Sequence, residues 1–365
     1  MKLLFAAGTW DEMTGKKSGL LEKIYLLIKE KNIYDIDYYN GGNYNKLKEI
    51  TNTAANYDII IWMANIPSHL PLLTSVKSIN PKALVVGSKR NHYNEYSFVE
   101  ILNKSLERRY NLTIEFSKNI ANNIAAPYNV SQCFKMLLFD PLGTAWYDGY
   151  NINELVEILL KRITFILSTR REPTHYLSDS KIFIPNDESF FKYVRDVAEI
   201  FHQTINHADG VTRFLGNASF RGPDDLIFIS RRDVDKALIN RDTFVQCCLK
   251  DEKVYYYGPY KPSKDTVIQT RLYKKYKNIN YIIHSHCYVD SAAITEIPVP
   301  CGALDEVDEI NKAIKNYYNN DNNLNCYKIN LIGHGCIIMG NSINDLTNTK
   351  YITRNLPEYL KQEEI

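Results

Sequence analysis

Asn280-Tyr281-Ile282-Ile283-His284-Ser285-His286-Cys287-Tyr288-Val289 is rich in β-branched and aromatic residues and reads as a strand. Side chains alternate along a strand, so His284 and His286 point the same way and Ser285 the other. Two imidazoles side by side are half of a metal site. A third arrives with Ile332-Gly333-His334-Gly335-Cys336, where flanking glycines let backbone and ligand crowd a shared centre. Three neutral nitrogens leave coordination positions open, as a catalytic rather than a structural ion needs. Taken alone, an HxH pair is a weak signal, more often strand histidines bonded to neighbours than a metal site. Cys287 alternates to the face opposite His286, and both it and Cys336 read as packing residues.

Upstream, Phe214-Leu215-Gly216-Asn217-Ala218-Ser219-Phe220-Arg221 joins a glycine turn to a short polar side chain, which suits a loop facing an anion. Gly258-Pro259-Tyr260-Lys261-Pro262-Ser263-Lys264-Asp265-Thr266 then forms a rigid turn presenting Ser263 and a carboxylate, and leads into a helix from Thr266 to Tyr276. With these segments in order, the chain from roughly Ser180 to Gly340 resembles the class II aldolase/adducin family. That family has a GNxS loop, a KPSSE-like turn, an HxH strand and a later GHG-like histidine. Here they correspond to Gly216-Asn217-Ala218-Ser219, Lys261-Pro262-Ser263-Lys264-Asp265, His284-Ser285-His286 and His334, and Pro300-Cys301-Gly302-Ala303-Leu304 falls where members place a connecting segment.

The resemblance implies an α/β/α domain with a central, largely antiparallel sheet, in a homotetramer with sites at subunit interfaces. It implies Zn²⁺, or another divalent metal, on His284, His286 and His334, and a small sugar-phosphate-like substrate. The expected reaction is a carbon–carbon cleavage or condensation through a metal-stabilised enediolate, with Asp265 shuttling the proton. Asp265 is one methylene shorter than the family's usual glutamate. Phosphate contacts are expected from Asn217 and Ser263, with Gly216 and Ser219 in the loop. Lys264 replaces the turn's second serine, and a glycine usual after the next strand is replaced within Ser230-Arg231-Arg232, so Lys264 or Arg231 either supplies positive charge or is simply solvated. Tyr288 and Tyr255-Tyr256-Tyr257 are candidate proton donors, though aromatics more often pack. The same metal site would serve a dehydratase or epimerase, and an adducin-like interaction module is the non-catalytic alternative.

The first 170 residues have a different rhythm. Strand-like runs at Leu3–Ala7, Tyr57–Met63 and Ala83–Gly87 alternate with helical patterns at Gly19–Lys31 and Phe98–Arg108, which argues a Rossmann-like or flavodoxin-like α/β domain with a parallel sheet. Ser18 suits an N-cap, and Asn153–Leu167 carries apolar residues at i, i+3, i+4 spacing that close this domain. Gly8 to Ser18 lies between strand and helix, where α/β sheets bind phosphates, but satisfies neither GxxxxGK[ST] nor GxGxxG. Loss of periodicity over 171–180 reads as a linker, 181–350 as the second domain and 351–365 as a tail. An amphipathic helix is expected from Ser189 to about Thr204.

A chain of 365 residues suits two domains, since single cores stop growing before about 250–300 residues. A formal net charge of +2, with Lys and Arg scattered, forms no basic stripe and argues against a nucleic-acid partner. No run approaches the roughly 18 apolar residues that span a bilayer. Seven cysteines without regular CxxC pairs suit free thiols in a reducing, cytoplasmic setting.

Overall fold

The computed structural model describes residues 1–71, 73–92, 95–118, 134–179, 183–201, 204–206, 212–319, 321 and 323–360. They form two compact units, Met1–Leu167 with Leu356–Leu360, and Ser168–Asn355.

The first unit is doubly wound. Strands β1 (Lys2–Asp11), β2 (Asp35–Asn43), β3 (Ile59–Trp62), β4 (Leu84–His92) and β5 (Leu112–Lys118) pair in parallel in the order β2-β1-β3-β4-β5. Then β6 (Phe134–Phe139) and β7 (Thr144–Gly149) extend the sheet antiparallel. Alternation along β1 sends Leu3, Phe5 and Ala7 to one face and Leu4 to the other. The first face is covered by α1 (Gly19–Glu30) through Leu21, Ile24 and Ile28, and by α5 (Ile152–Ser168) through Leu155, Leu159 and Ile163; the second by α2 (Tyr44–Asn52) and α3 (Val76–Ile79). Between β4 and β5 runs α4 (Phe98–Glu107), opened by a capping box of Ser97 and Glu100. Ser18 does cap α1, accepting from the Leu21 amide. The Gly8–Ser18 loop turns its amides inward: Met13 and Gly15 donate to Asp11 Oδ1, Lys16 to the Thr9 carbonyl, and Ser18 to Asn40 Oδ1. Those donors are unavailable as a phosphate cradle.

The second unit is a three-layer α/β/α sandwich. Its strands are β8 (Thr174–Ser178), β9 (Thr204–Asn206), β10 (Thr212–Phe214), β11 (Asn217–Arg221), β12 (Ile227–Ser230), β13 (Phe244–Lys250), β14 (Lys253–Tyr257), β15 (Tyr281–Ser285), β16 (Tyr288–Val289), β17 (Ala293–Ile294), β18 (Cys326–Leu331), β19 (Gly335–Gly340) and β20 (Tyr351–Ile352). Nine of them make the central sheet, in the order β17-β18-β19-β15-β11-β12-β13-β14-β8; every neighbouring pair is antiparallel except β17–β18 and β14–β8. Its helices are α6 (Glu188–Asp196), α7 (Thr266–Lys275), α8 (Asp305–Tyr317) and α9 (Ile343–Thr347). One sheet face packs Ile282, Ile329 and Met339 against α7 and α8; the other packs Phe220, Ile283 and Ile338 against α6 and α9.

Local physics moved several expected boundaries. Within 171–180, β-branched and aromatic Thr174-His175-Tyr176-Leu177 make the edge strand β8 rather than a free linker; residue 180 lies outside the described ones. The 351–365 tail includes β20, paired with β16, and β21 (Glu358–Tyr359), which adds parallel to β7 in the first unit; residues 361–365 lie outside the described ones. The helix expected from Ser189 stops at Asp196 and continues as a 3-10 turn over Ala198–Phe201, with residues 202–203 outside the description. The histidine strand ends at Ser285, and Tyr288–Val289 pairs separately with β20.

Gly335 explains why β15 and β19 approach so closely. A Cβ there would overlap the Ser285 carbonyl oxygen and lie 2.7 Å from His286 Cα. Both contacts are backbone and cannot swing away, so Gly335→Ala should destabilise the second unit by about 3 kcal/mol, read as a lowered denaturant midpoint at constant m-value.

Candidate metal centre

His284 and Ile282 share one side of β15, the side covered by α7 and α8, while Ser285 faces Cys336 on the other. Asp265 stands immediately before α7, and Glu306 lies in the first turn of α8. His334 sits in the turn between β18 and β19, next to the glycine that lets β19 lie against β15.

The three histidines converge. Ring centroids are 5.4 Å apart for His284–His286, 4.8 Å for His284–His334 and 5.3 Å for His286–His334. One nitrogen from each ring can be chosen so that all lie within 4.8 Å of one another. A point within about 3 Å of all three therefore exists, so only small adjustments separate them from metal–nitrogen bonds of about 2.0–2.1 Å.

Hydrogen bonds on the far side of two rings aim them. His284 Nδ1 is 2.9 Å from the Cys336 carbonyl oxygen, which can only accept, so this nitrogen carries the proton and Nε2 presents its lone pair. His334 Nδ1 is 2.6 Å from Glu306 Oε1. Both Nε2 atoms are buried without a hydrogen-bond partner among the described residues, in side chains of residues only 3% and 1% exposed. A buried polar atom left unpaired costs about 1–3 kcal/mol. Two such atoms facing one centre are what a metal would satisfy, and the donor set of three imidazoles with a carboxylate behind one of them fits a divalent ion.

Electrostatics follow burial and neighbours. Burial, then the charge of His334, holds His284 below the usual imidazole range, and burial with both other rings holds His286 well below it. Burial would also lower His334, but Glu306 and then Cys301 outweigh it and raise that imidazole well above its ordinary range. Replacing the Glu306 charge while keeping its shape, Glu306→Gln, should weaken divalent-metal affinity about 10–100-fold, measured by competition with a chromophoric chelator.

Asp265 borders the histidines. Its Oδ2 is 3.9 Å from His284 Nε2 and accepts from Asn217 Nδ2 at 2.6 Å, while its Oδ1 lies 3.8 Å from Cys301 Sγ. Asn217 pairs with His284 in register and also accepts a hydrogen bond from Gln269 Nε2. Both ends of its amide are engaged inside the protein and hold Asp265. Ser219 follows on the same strand. It is fully buried and bonded to the Tyr273 hydroxyl at 2.9 Å, because it projects under α7 rather than into the loop. Gly216 occupies the left-handed region at φ +72°, and a Cβ there would meet Phe201 and the His284 carbonyl, so its role is to let the chain turn. Ser263 is half-buried at the start of α7, its Oγ accepting from the Asp265 amide at 3.4 Å, and Lys264 is exposed.

Several residues that sequence reasoning passed over surround the centre. Glu306 is one of four acids among Asp305, Glu306, Asp308 and Glu309 and had no local mark. Lys236 is almost fully buried, donates to the Phe214 carbonyl at 3.2 Å, and is held down to about 8 by burial against the pull of Asp233, Asp235 and Asp265. The turn bearing His334 is fixed by Arg354, which donates to the His334 carbonyl, and by the Tyr288 hydroxyl, which accepts from the Gly333 amide. Tyr288 thus borders the centre, whereas Tyr255–Tyr257 lie in β14 near the sheet edge, beside β8.

No curated protein matches the chain. Among solved structures, the chain is similar to a DNA/pantothenate metabolism flavoprotein from Streptococcus pneumoniae, with 14% identity, 45% of this chain and 98% of that one covered, and a TM-score of 0.33. It is also similar to an L-fuculose 1-phosphate aldolase, with 17% identity, 44% and 77% covered, and a TM-score of 0.32. For the L-fuculose-1-phosphate aldolase from Thermus thermophilus the identity is 14%, the coverage 42% and 78%, and the TM-score 0.29. The family described as Class II Aldolase and Adducin N-terminal domain matches residues 195–356, and the match does not enter the β1–β7 sheet. Residues 195–356, which hold all three converging histidines and Asp265, are a member of the class II aldolase and adducin N-terminal domain family.

Proposed function

We propose that the second unit is a zinc-dependent aldehyde-lyase that cleaves or forms a carbon–carbon bond in a small, phosphorylated hydroxy-carbonyl compound. The observation carrying this reading is the pair of buried, unpartnered Nε2 atoms of His284 and His334 facing His286, with Asp265 alongside. His284, His286 and His334 would hold the ion. A divalent ion bound there supplies Lewis-acid polarisation of the substrate's carbonyl and neighbouring hydroxyl oxygens.

The chain's own residues do the rest. The Cys336 carbonyl and Glu306 each engage an Nδ1, so the Nε2 atoms are the ones turned inward, and His334, raised against burial by Glu306, would release its proton as an ion binds. Asn217 holds Oδ2 of Asp265 at 2.6 Å, and Oδ1, held among the described residues only by the Cys301 thiol at 3.8 Å, would take the substrate's hydroxyl proton in cleavage and return it in condensation. Positive charge near the turns supports an anionic substrate: Lys236 is buried, Arg232 Nε is buried without a partner among the described residues, and Arg231 lies over the Tyr260 ring at 4.6 Å. Free Cys247, Cys248, Cys287, Cys301, Cys326 and Cys336 support a reducing compartment such as the cytoplasm, and a homotetramer remains part of the reading through family resemblance. No helix among the described residues is long and apolar enough to cross a membrane.

Incubating the zinc-loaded full chain with ketose 1-phosphates and identifying products by mass spectrometry tests the reading. Two shorter carbonyl fragments support it. A dehydrated or epimerised product of unchanged carbon count, or no turnover, contradicts it.

A further inference from the structure

The first unit contains a cleft that nothing in the metal chemistry uses. It has a volume of about 420 Å³ and lies among the segment following β3, the outer part of β4 and helix α4. Trp62 ends β3, Ser88 and Lys89 lie midway along β4, and Arg108 and Tyr110 lie between α4 and β5, so the cleft sits where α4 returns to the sheet. Its volume falls within the roughly 300–1,000 Å³ of small-molecule sites.

Its lining is divided by chemistry. Trp62, Ile66 and Tyr110 give one apolar, aromatic part. Gly87, in register with Trp62, makes room for Tyr110: a Cβ at that position would overlap the tyrosine ring. Lys89, Lys104 and Arg108 give a cationic part, with Glu107 the one acid among the described lining residues. The two ammonium groups are crowded. Lys89 Nζ lies 4.3 Å and Lys104 Nζ 3.7 Å from the centroid of the same ring, Tyr96, and neither forms an ion pair among the described residues. Two like charges meeting in a half-buried site repel more strongly than in water, and an anion between them relieves that repulsion. Consistently, burial and then the charge of Lys104 lower the affinity of Lys89 for its proton.

We propose that this cleft binds a phosphorylated small molecule, with Lys89, Lys104 and Arg108 on the phosphate and Trp62 and Tyr110 along a planar or apolar body. Lysine and arginine donors make the charge-assisted hydrogen bonds that phosphate oxygens favour. The aromatic end makes a nucleotide-sized ligand a better fit than inorganic phosphate alone. This inference is independent of the reading of the second unit.

Calorimetric titration of the metal-free full chain with inorganic pyrophosphate and with adenosine 5′-diphosphate tests it. Saturable one-to-one binding of either probe is expected, weakened at least tenfold by Lys89→Met/Lys104→Met and kept by Lys89→Arg/Lys104→Arg, which retains the charge and checks the fold. His284→Ala should leave this binding in place. No saturable binding of either probe, binding undiminished in the methionine variant, or binding lost in His284→Ala alone would overturn the proposal.

Discussion

His284→Ala is expected to lower turnover about a thousandfold. Metal polarisation of a carbonyl contributes several kcal/mol to the transition state, and about 1.4 kcal/mol corresponds to each tenfold in rate. The variant should still fold, because His284 is held by a single backbone carbonyl and its Nε2 is unpartnered in the described chain. Its diagnostic loss is in linkage. A ligand present at a thousand times its Kd stabilises the native state by about 4.1 kcal/mol, so zinc should raise the melting temperature of the wild type and leave that of His284→Ala unmoved. Scanning calorimetry with and without zinc reads this, and an equal shift in both proteins would separate the histidine from metal binding.

Asp265→Asn is the second large effect. The amide keeps the shape of the carboxylate, and its oxygen can still accept from Asn217 Nδ2, so the surroundings of α7 should persist. It cannot accept a proton. General acid–base groups contribute about 10²–10⁴-fold, and kcat should fall by that factor while zinc affinity changes less than in Glu306→Gln. The contrast arises because Asp265 Oδ2 lies 3.9 Å from His284 Nε2 without bonding to it, whereas Glu306 bonds directly to His334 Nδ1. Retained turnover in Asp265→Asn would remove this carboxylate from the proton transfer.

The histidines were legible because their signal is dense and local: two sit at i and i+2 at the end of an apolar strand, and the third lies between glycines. Gly335 shows why that pattern is needed, since any side chain there would strike the Ser285 carbonyl. The parallel first sheet was equally readable from apolar runs alternating with helical periods. What escaped the sequence depends on tertiary contact. Glu306 is 28 positions from His334 and looks like any acid at a helix start. Lys236, among the aspartates of Arg231-Arg232-Asp233-Val234-Asp235-Lys236, reads as a solvated charge, yet is buried. That Asn217 turns to Asp265 and Ser219 to Tyr273 was not legible, because local sequence cannot tell which side of β11 meets α7. The segments taken as linker and tail supply β8, β20 and β21, edge strands whose pairing partners lie far away along the chain.

X-ray absorption of the zinc-loaded full chain at the metal edge tests the central claim most directly. A first shell with three imidazole nitrogens at about 2.0–2.1 Å and no sulfur is the expected result; one equivalent of metal without histidine scattering, a sulfur shell at about 2.3 Å, or no stoichiometric zinc at all would contradict it.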